Sequence, residues 1–322
     1  MPDIDPARLR AGDRRSLARA ITLCESSNYA DMEKAQLLLD AIMPYTGNSL
    51  RIGISGVPGA GKSTFIEAFG LDWVEQGKKV AVLAIDPSSP LVGGSILGDK
   101  TRMEELAKLD AAFIRPSPSR GCQGGVAERT REAILLCEAA GFDIIIVETV
   151  GVGQSEFDVA RMVDFFMVLL LPNAGDELQG IKRGILELAD LLIINKCDGP
   201  NRAQAQSAKA NYQSALRLLR SAAHGSAEVV TCSALLREEI GLIRQRIEDF
   251  AKMGQQAGWF QTRRQSQNGE WMRYILQRML ENSLYCHEGV RHRLPELENA
   301  VIEGLITPLT AARQLMTILR SD

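Results

Sequence analysis

Seven short runs rich in Val, Ile and Leu recur between residues 50 and 233, each separated from the next by enough chain for a helix. They are Leu50–Ser55, Lys79–Ile85, Ala112–Arg115, Asp143–Glu148, Phe165–Leu171, Leu191–Asn195 and Glu228–Ser233. Most are continuously apolar rather than alternating, which is how strands covered on both faces read. Helical patterns fall between them, for example over Lys62–Glu75, Glu128–Ala140 and Gly180–Ala189. Strand–helix alternation on this scale predicts an α/β fold, a doubly wound and mostly parallel sheet. Such sheets bind ligands at the carboxyl ends of their strands.

The first of those ends carries Gly56, Val57, Pro58, Gly59, Ala60, Gly61, Lys62, Ser63 and Thr64, a full match to G-x-x-x-x-G-K-[ST] between a strand and a helix. The glycines let successive N–H groups turn inward onto phosphate oxygens, and the helix N-terminus adds partial positive charge. Lys62 is placed to reach the β- and γ-phosphates and the Ser63 hydroxyl to ligate Mg²⁺. The pattern therefore predicts a P-loop NTPase domain.

After the strand Leu191–Ile194 come Asn195, Lys196, Cys197 and Asp198, an N-K-x-D tetrapeptide. The Asp198 carboxylate can accept from both the imino N–H and the exocyclic amine of guanine, a donor pair that adenine lacks. A site built around such donors discriminates strongly against an analogue without them. The Lys196 stem can cover the base, and Asn195 can tie this loop to the phosphate loop. Ser233, Ala234 and Leu235 end the next strand, where a backbone contact to the guanine carbonyl is expected. Together these segments predict GTP, and GDP after hydrolysis.

Glu148 and Gly151 close the strand over 143–148 in the order expected of an acid that meets Mg²⁺ through water and a glycine that senses the γ-phosphate. Val152 follows that glycine and Gln154 comes later, so the attacking water lacks the immediate Gln that would orient it, predicting slow unaided hydrolysis. Asp86 and Asp99 also sit at loop positions. Each reads equally well as a group ordering magnesium-bound water or the nucleophile, or as an Asx-turn and a helix N-cap respectively.

Residues 1–48 read as a helical extension, with Leu17, Ile21 and Cys24 on one face and Ala35, Leu38, Leu39 and Ile42 on another. Residues 49–252 form the nucleotide-binding domain. The chain turns polar and Gln/Gly-rich near 253, and 253–322 reads as helices only, the last starting at Thr307 (N-cap) and Pro308. A net charge of −3 without a basic stripe argues against nucleic acid as partner. No apolar stretch approaches the length of a membrane span. The six cysteines form no CxxC pair, and Cys286, His287 and His292 have no fourth metal ligand nearby. Reduced thiols and the absence of a signal-peptide pattern predict a cytoplasmic protein.

Longer strings carry a resemblance: Asp86 to Ser89, Gly93 to Met103, Phe113 to Pro118, Glu148 to Glu156 and Gly175 to Lys182. In this order they resemble the ArgK/MeaB family of GTPases, which includes the human methylmalonic aciduria type A protein. The resemblance implies a GTP-dependent chaperone of methylmalonyl-CoA mutase, or a related adenosylcobalamin-dependent mutase, that gates cofactor loading, protection and reactivation. It implies a homodimer through the C-terminal helices, places Asp86, Asp99 and Glu148 around Mg²⁺ and the catalytic water, and marks Asn173–Lys182 as a mobile switch. The chain departs from the family pattern at Cys122, Gln123, Asn173 and Cys197.

Three other readings compete. Relatives have been labelled kinases of a lysine/arginine/ornithine transport system, but no protein-kinase catalytic loop is present. A metal-insertion GTPase would carry Cys/His-rich tracts, which this chain lacks. A nucleotide-dependent dimerisation module would hydrolyse GTP at a rate indifferent to any partner.

Overall fold

The computed structural model describes residues 4–85, 103–116, 126–149, 155–172, 183–219 and 228–319. The chain divides into two compact units, Met1–Phe260 and Gln261–Asp322.

The first unit is built on one seven-stranded sheet: β1 (Leu50–Gly56), β2 (Val80–Ile85), β3 (Ala112–Pro116), β4 (Ile144–Thr149), β5 (Phe165–Leu170), β6 (Leu191–Ile194) and β7 (Glu228–Thr231). Their order is β3-β2-β4-β1-β5-β6-β7, and every neighbouring pair is parallel. All seven expected strands are therefore present, in the doubly wound parallel arrangement that their sequences imply. Every residue of β2, β4, β5 and β6 is buried, the physical reason for their unbroken apolar runs. The winding direction reverses at β1, which pairs with β4 on one side and β5 on the other. The loop that leaves β1 thus opens at the topological switch point, where such sheets bind ligands.

Helix Lys62–Glu75 follows that loop and packs its buried face (Phe65, Ile66, Phe69 and Trp73) into the core. Phe65 stacks on Phe69 at 5.4 Å, and the Phe69 and Trp73 rings meet edge-on. Helix Val126–Ala139 is fastened to the start of β1 by Glu138, whose fully buried side chain receives Arg51 Nε at 2.8 Å, Arg51 Nη2 at 2.9 Å and the Gly47 N–H at 2.8 Å. Breaking such a bidentate buried pair costs several kcal/mol.

The N-terminal helices Pro6–Arg10, Arg14–Cys24 and Tyr29–Ile42 are capped by Asp5, Asp13 and Asn28. Leu17, Ile21, Cys24, Ala35, Leu38, Leu39 and Ile42 are all buried in the common core. These helices pack on helix Val126–Ala139, and Arg115 at the end of β3 pairs with Glu25 at 2.5 Å. At the other end of the unit, the Phe250 ring meets Phe165, Trp259 and Phe260 edge-on.

In the second unit, helices Glu288–Ile302 and Pro308–Leu319 pack as a pair; a Cβ added to Gly289 would lie 2.8 Å from Ile318. Thr307 Oγ1 accepts the Thr310 N–H at 3.2 Å, capping the last helix. His287 Nδ1 accepts the Val290 N–H at 3.3 Å and caps the helix before it. No described helix is long and apolar enough to cross a membrane.

Glu132 lies on helix Val126–Ala139, close enough to Cys24 to raise the pKa of that thiol. Its own pKa is pushed up to about 7, first by burial and then by repulsion from Glu128, with Arg129 opposing. The folded chain therefore holds this proton more tightly than the unfolded chain does. Stability from it is complete below the ordinary carboxyl value of 4.5 and is lost as pH rises to about 7. Glu132→Gln should leave urea stability near pH 4.5 unchanged and raise it by about 1–3 kcal/mol at pH 8. An equal effect at both pH values would refute the assignment.

Candidate functional site

Backbone geometry shapes the loop after β1. Gly59 and Gly61 have φ of 78° and 84°, left-handed values that side chains rarely adopt. A Cβ on Gly56 would sit 2.4 Å from the Leu169 carbonyl of β5, so only glycine lets the strand and loop pass that closely. Ala60 is fully buried, whereas Pro58 and Gly59 are exposed. Val57 is buried, Ser63 is half-buried at the start of helix Lys62–Glu75, and Thr64 is exposed.

Lys62 turns back over the loop, donating from Nζ to the Gly56 carbonyl at 2.8 Å and the Val57 carbonyl at 3.4 Å. Burial lowers its pKa, while Glu148 and Glu156 act in the opposite direction. Glu148 is buried near the end of β4, in register with Ile54 of β1. Beside it, Thr149 Oγ1 donates to Ser55 Oγ at 2.9 Å, and Ser55 Oγ donates to Glu156 Oε1 at 3.1 Å. Ser55, Thr149 and Glu156 are all buried. No sequence motif singles out these three; Glu156 falls only at the end of the string from Glu148 to Glu156. A loop able to receive phosphate is thus backed by one ammonium and two buried carboxylates.

Asn195 joins this loop to the second half of the site. Its Nδ2 donates to the Ala60 carbonyl at 2.8 Å, and its Oδ1 accepts the Ala234 N–H at 3.0 Å. The Cys232 thiol reaches the same Oδ1 at 3.5 Å. A Cβ on Gly61 would lie 2.9 Å from Asn195 Nδ2 and 3.9 Å from Cε of Lys196. The Lys196 stem therefore runs beside the phosphate loop, its backbone left-handed at φ 60°. Asp198 Oδ2 accepts from Ser233 Oγ at 2.6 Å, and that hydroxyl also accepts the Leu236 N–H at 3.2 Å. Ser233 and Ala234 are buried, and Leu235 is 76% exposed.

The structure brings the phosphate loop, Glu148, the 195–198 segment and the 233–235 segment to the carboxyl ends of β1, β4, β6 and β7. Asp86, Asp99, Gly151, Val152, Gln154 and Asn173 lie outside the described residues. So do Cys122 and Gln123.

A family model described as "Methylmalonyl Co-A mutase-associated GTPase MeaB" matches residues 17–288. The chain belongs to the MeaB family of GTPases. It is 50% identical to "GTPase ArgK" of Escherichia coli over 316 residues, 98% of this chain and 96% of that protein. It is 45% identical to the mouse "Methylmalonic aciduria type A homolog, mitochondrial" over 321 residues, 96% of this chain and 77% of the relative. The crystal structure of a "LAO/AO transport system kinase" superposes with a TM-score of 0.79 at 44% identity, covering 98% of this chain and 96% of that one. Membership in this family carries guanine-nucleotide binding and GTP hydrolysis at family level.

Asn195→Ala would leave the Ala60 carbonyl and the Ala234 N–H without a buried partner, at about 1–3 kcal/mol each. Guanine-nucleotide affinity, read with a fluorescent GDP, should fall by about tenfold or more. Unchanged affinity would mean that the bridge does not organise the site.

Proposed function

We propose that this chain binds GTP with Mg²⁺, hydrolyses its γ-phosphate slowly, and uses that cycle as a chaperone gating cofactor loading, protection and reactivation of an adenosylcobalamin-dependent methylmalonyl-CoA mutase. The observation that supports the nucleotide half is the Asn195 bridge, whose side chain bonds both the Ala60 carbonyl of the phosphate loop and the Ala234 N–H.

The backbone of Gly56 to Thr64 receives the phosphates. Lys62 exchanges its carbonyl partners for β- and γ-phosphate oxygens when the triphosphate arrives, a short swing because its ammonium already lies over the loop. Asp198, held by Ser233, accepts from the guanine imino and amine groups. Lys196 covers the base, and the backbone of Ser233, Ala234 and Leu235 meets its carbonyl.

The Ser63 hydroxyl and the Glu148 carboxylate are hard oxygen donors of the kind Mg²⁺ takes, and Glu148 is buried close enough to Lys62 to stabilise the ammonium. With Asp86 and Asp99 they would hold the ion, which when bound neutralises charge developing on the phosphate oxygens. Gly151 is assigned to sense the γ-phosphate, and 173–182 to relay the nucleotide state.

The partner assignment rests on family membership and the mutase association printed in the family's description. The helical segment 253–322 is assigned as a homodimerisation arm. In its support, Met272, Leu276, Met279 and Leu280 are exposed along helix Trp259–Cys286 at helical spacing. A cytoplasmic location, with neither nucleic acid nor membrane as partner, completes the reading.

Asp198→Asn puts an amide donor where guanine needs only acceptors, so GTP-over-ATP preference should fall by about a hundredfold or more; unchanged selectivity would refute that role. The decisive experiment compares GTP and ATP hydrolysis with and without a methylmalonyl-CoA-mutase-type enzyme from the same cell. Slow GTPase activity, little ATPase activity and acceleration by the mutase are expected. A GTPase rate indifferent to the mutase would refute the chaperone assignment, and ATP turnover matching GTP would favour the transport-kinase label.

A further inference from the structure

Two cysteines meet where the 195–198 segment adjoins the chain just after β7. Cys197 fills the variable position of that tetrapeptide, and Cys232 opens the segment that continues into Ser233 and Ala234. Their main chains are directly joined: the Cys197 N–H donates to the Cys232 carbonyl at 2.9 Å, and the Cys232 N–H donates to the Ile194 carbonyl at 2.9 Å. A direct N–H···O=C bond between two residues holds their Cα atoms roughly 5–6 Å apart, within the roughly 4.4–6.8 Å that a disulfide spans. Both residues line one cavity of about 420 Å³, together with Arg202, Gln206 and Glu238. Cys197 is half-buried, and Cys232 is 1% exposed.

The other described cysteines lack this arrangement. Cys24 and Cys137 are buried in the core, and Cys286 is exposed in the second unit. The Cys232 thiol is held in its protonated form mainly by burial, with Cys197 as the next contributor. That same thiol lies 3.5 Å from Asn195 Oδ1, the atom that receives the Ala234 N–H.

We infer that Cys197 and Cys232 form a thiol pair that closes to a disulfide under peroxide, and that closure weakens guanine-nucleotide binding. The functional half rests on the nucleotide reading above. Cys197, the more accessible thiol, gives up its proton and attacks peroxide, taking up one oxygen as a sulfenic acid; the hydroxide released recovers that proton as water. The Cys232 sulfur then attacks that sulfenic sulfur, the S–S bond forms, and hydroxide leaves with the Cys232 proton as a second water. Two thiols are oxidised by two electrons and one peroxide is reduced to two waters. Once tied to Cys197, the Cys232 sulfur no longer has a proton to give Asn195 Oδ1. Asn195 then loses one of the contacts that align its amide with Ala60 and Ala234. A thiol-specific reductant reverses the change.

The test uses the full-length chain, reduced and then treated with hydrogen peroxide. Peptide mapping without reductant should reveal a Cys197–Cys232 linkage lighter by two hydrogens than the separate peptides. GTP affinity should weaken by about tenfold, corresponding to about 1.4 kcal/mol, and return with dithiothreitol. Cys197→Ala should abolish both responses, and Cys286→Ser should leave both intact. A wild-type chain that forms no such linkage, or a linked chain that binds GTP as tightly as the reduced one, would overturn the inference. Reduced chain that binds no GTP would sink the nucleotide reading and the functional half with it, while the mass of the linkage still decides the chemistry.

Discussion

The amide of Asn195 is the interaction on which the site's geometry hangs. Carbonyl and N–H groups in the sheet are satisfied by neighbouring strands, but Ala60 and Ala234 belong to loops that have no strand partner for these groups. One side chain, with an acceptor and a donor about two ångströms apart, meets both loops from the end of β6. Without it, the phosphate loop and the guanine segment would be two independent turns, each free to choose its own position. On the proposed reading a nucleotide spans both, so any slack would be deducted from binding as ordering entropy.

Electrostatics sets a second constraint. Lys62 is partly desolvated, which disfavours its charge, and Glu148 and Glu156 offset that cost. The loop carbonyls of Gly56 and Val57 accept hydrogen bonds from the same ammonium. Each of those partners is one that an incoming phosphate can replace or reinforce, so the ammonium is kept charged and in reach of its ligand.

Much of this was legible in the sequence because it depends on local patterns. The seven apolar runs announce strands buried on both faces, and the structure differs from them only by a residue or two at their ends. The phosphate loop is legible because its left-handed glycines, Gly59 and Gly61, and Lys62 lie within one short stretch of chain. The Asn195 tie was also legible, since its residue type has one good use at that position. The Thr149–Ser55–Glu156 network was not, because hydroxyls and acids far apart in sequence meet only once β1 and β4 pair. Nor was the binding of the first helices to the sheet: Arg115 and Glu25 are both ordinary surface residue types, and only the fold makes them partners. Asp86, Asp99 and Gly151 rest on their sequence positions and, for the two acids, on the family resemblance; all three lie outside the described residues.

The position of Gly56 against Leu169 has a bearing on how the protein matures. The motif that defines the phosphate loop is complete early in synthesis, yet its mould includes a strand made much later. A nascent chain that has emerged through Thr64 holds the right letters but lacks the wall against which they take shape. On the proposed reading, recognition of the base waits longer still, for β7 and Ala234. Nucleotide is therefore a ligand of the nearly finished domain, and its capture would mark the end of that domain's assembly on the ribosome rather than guide its beginning.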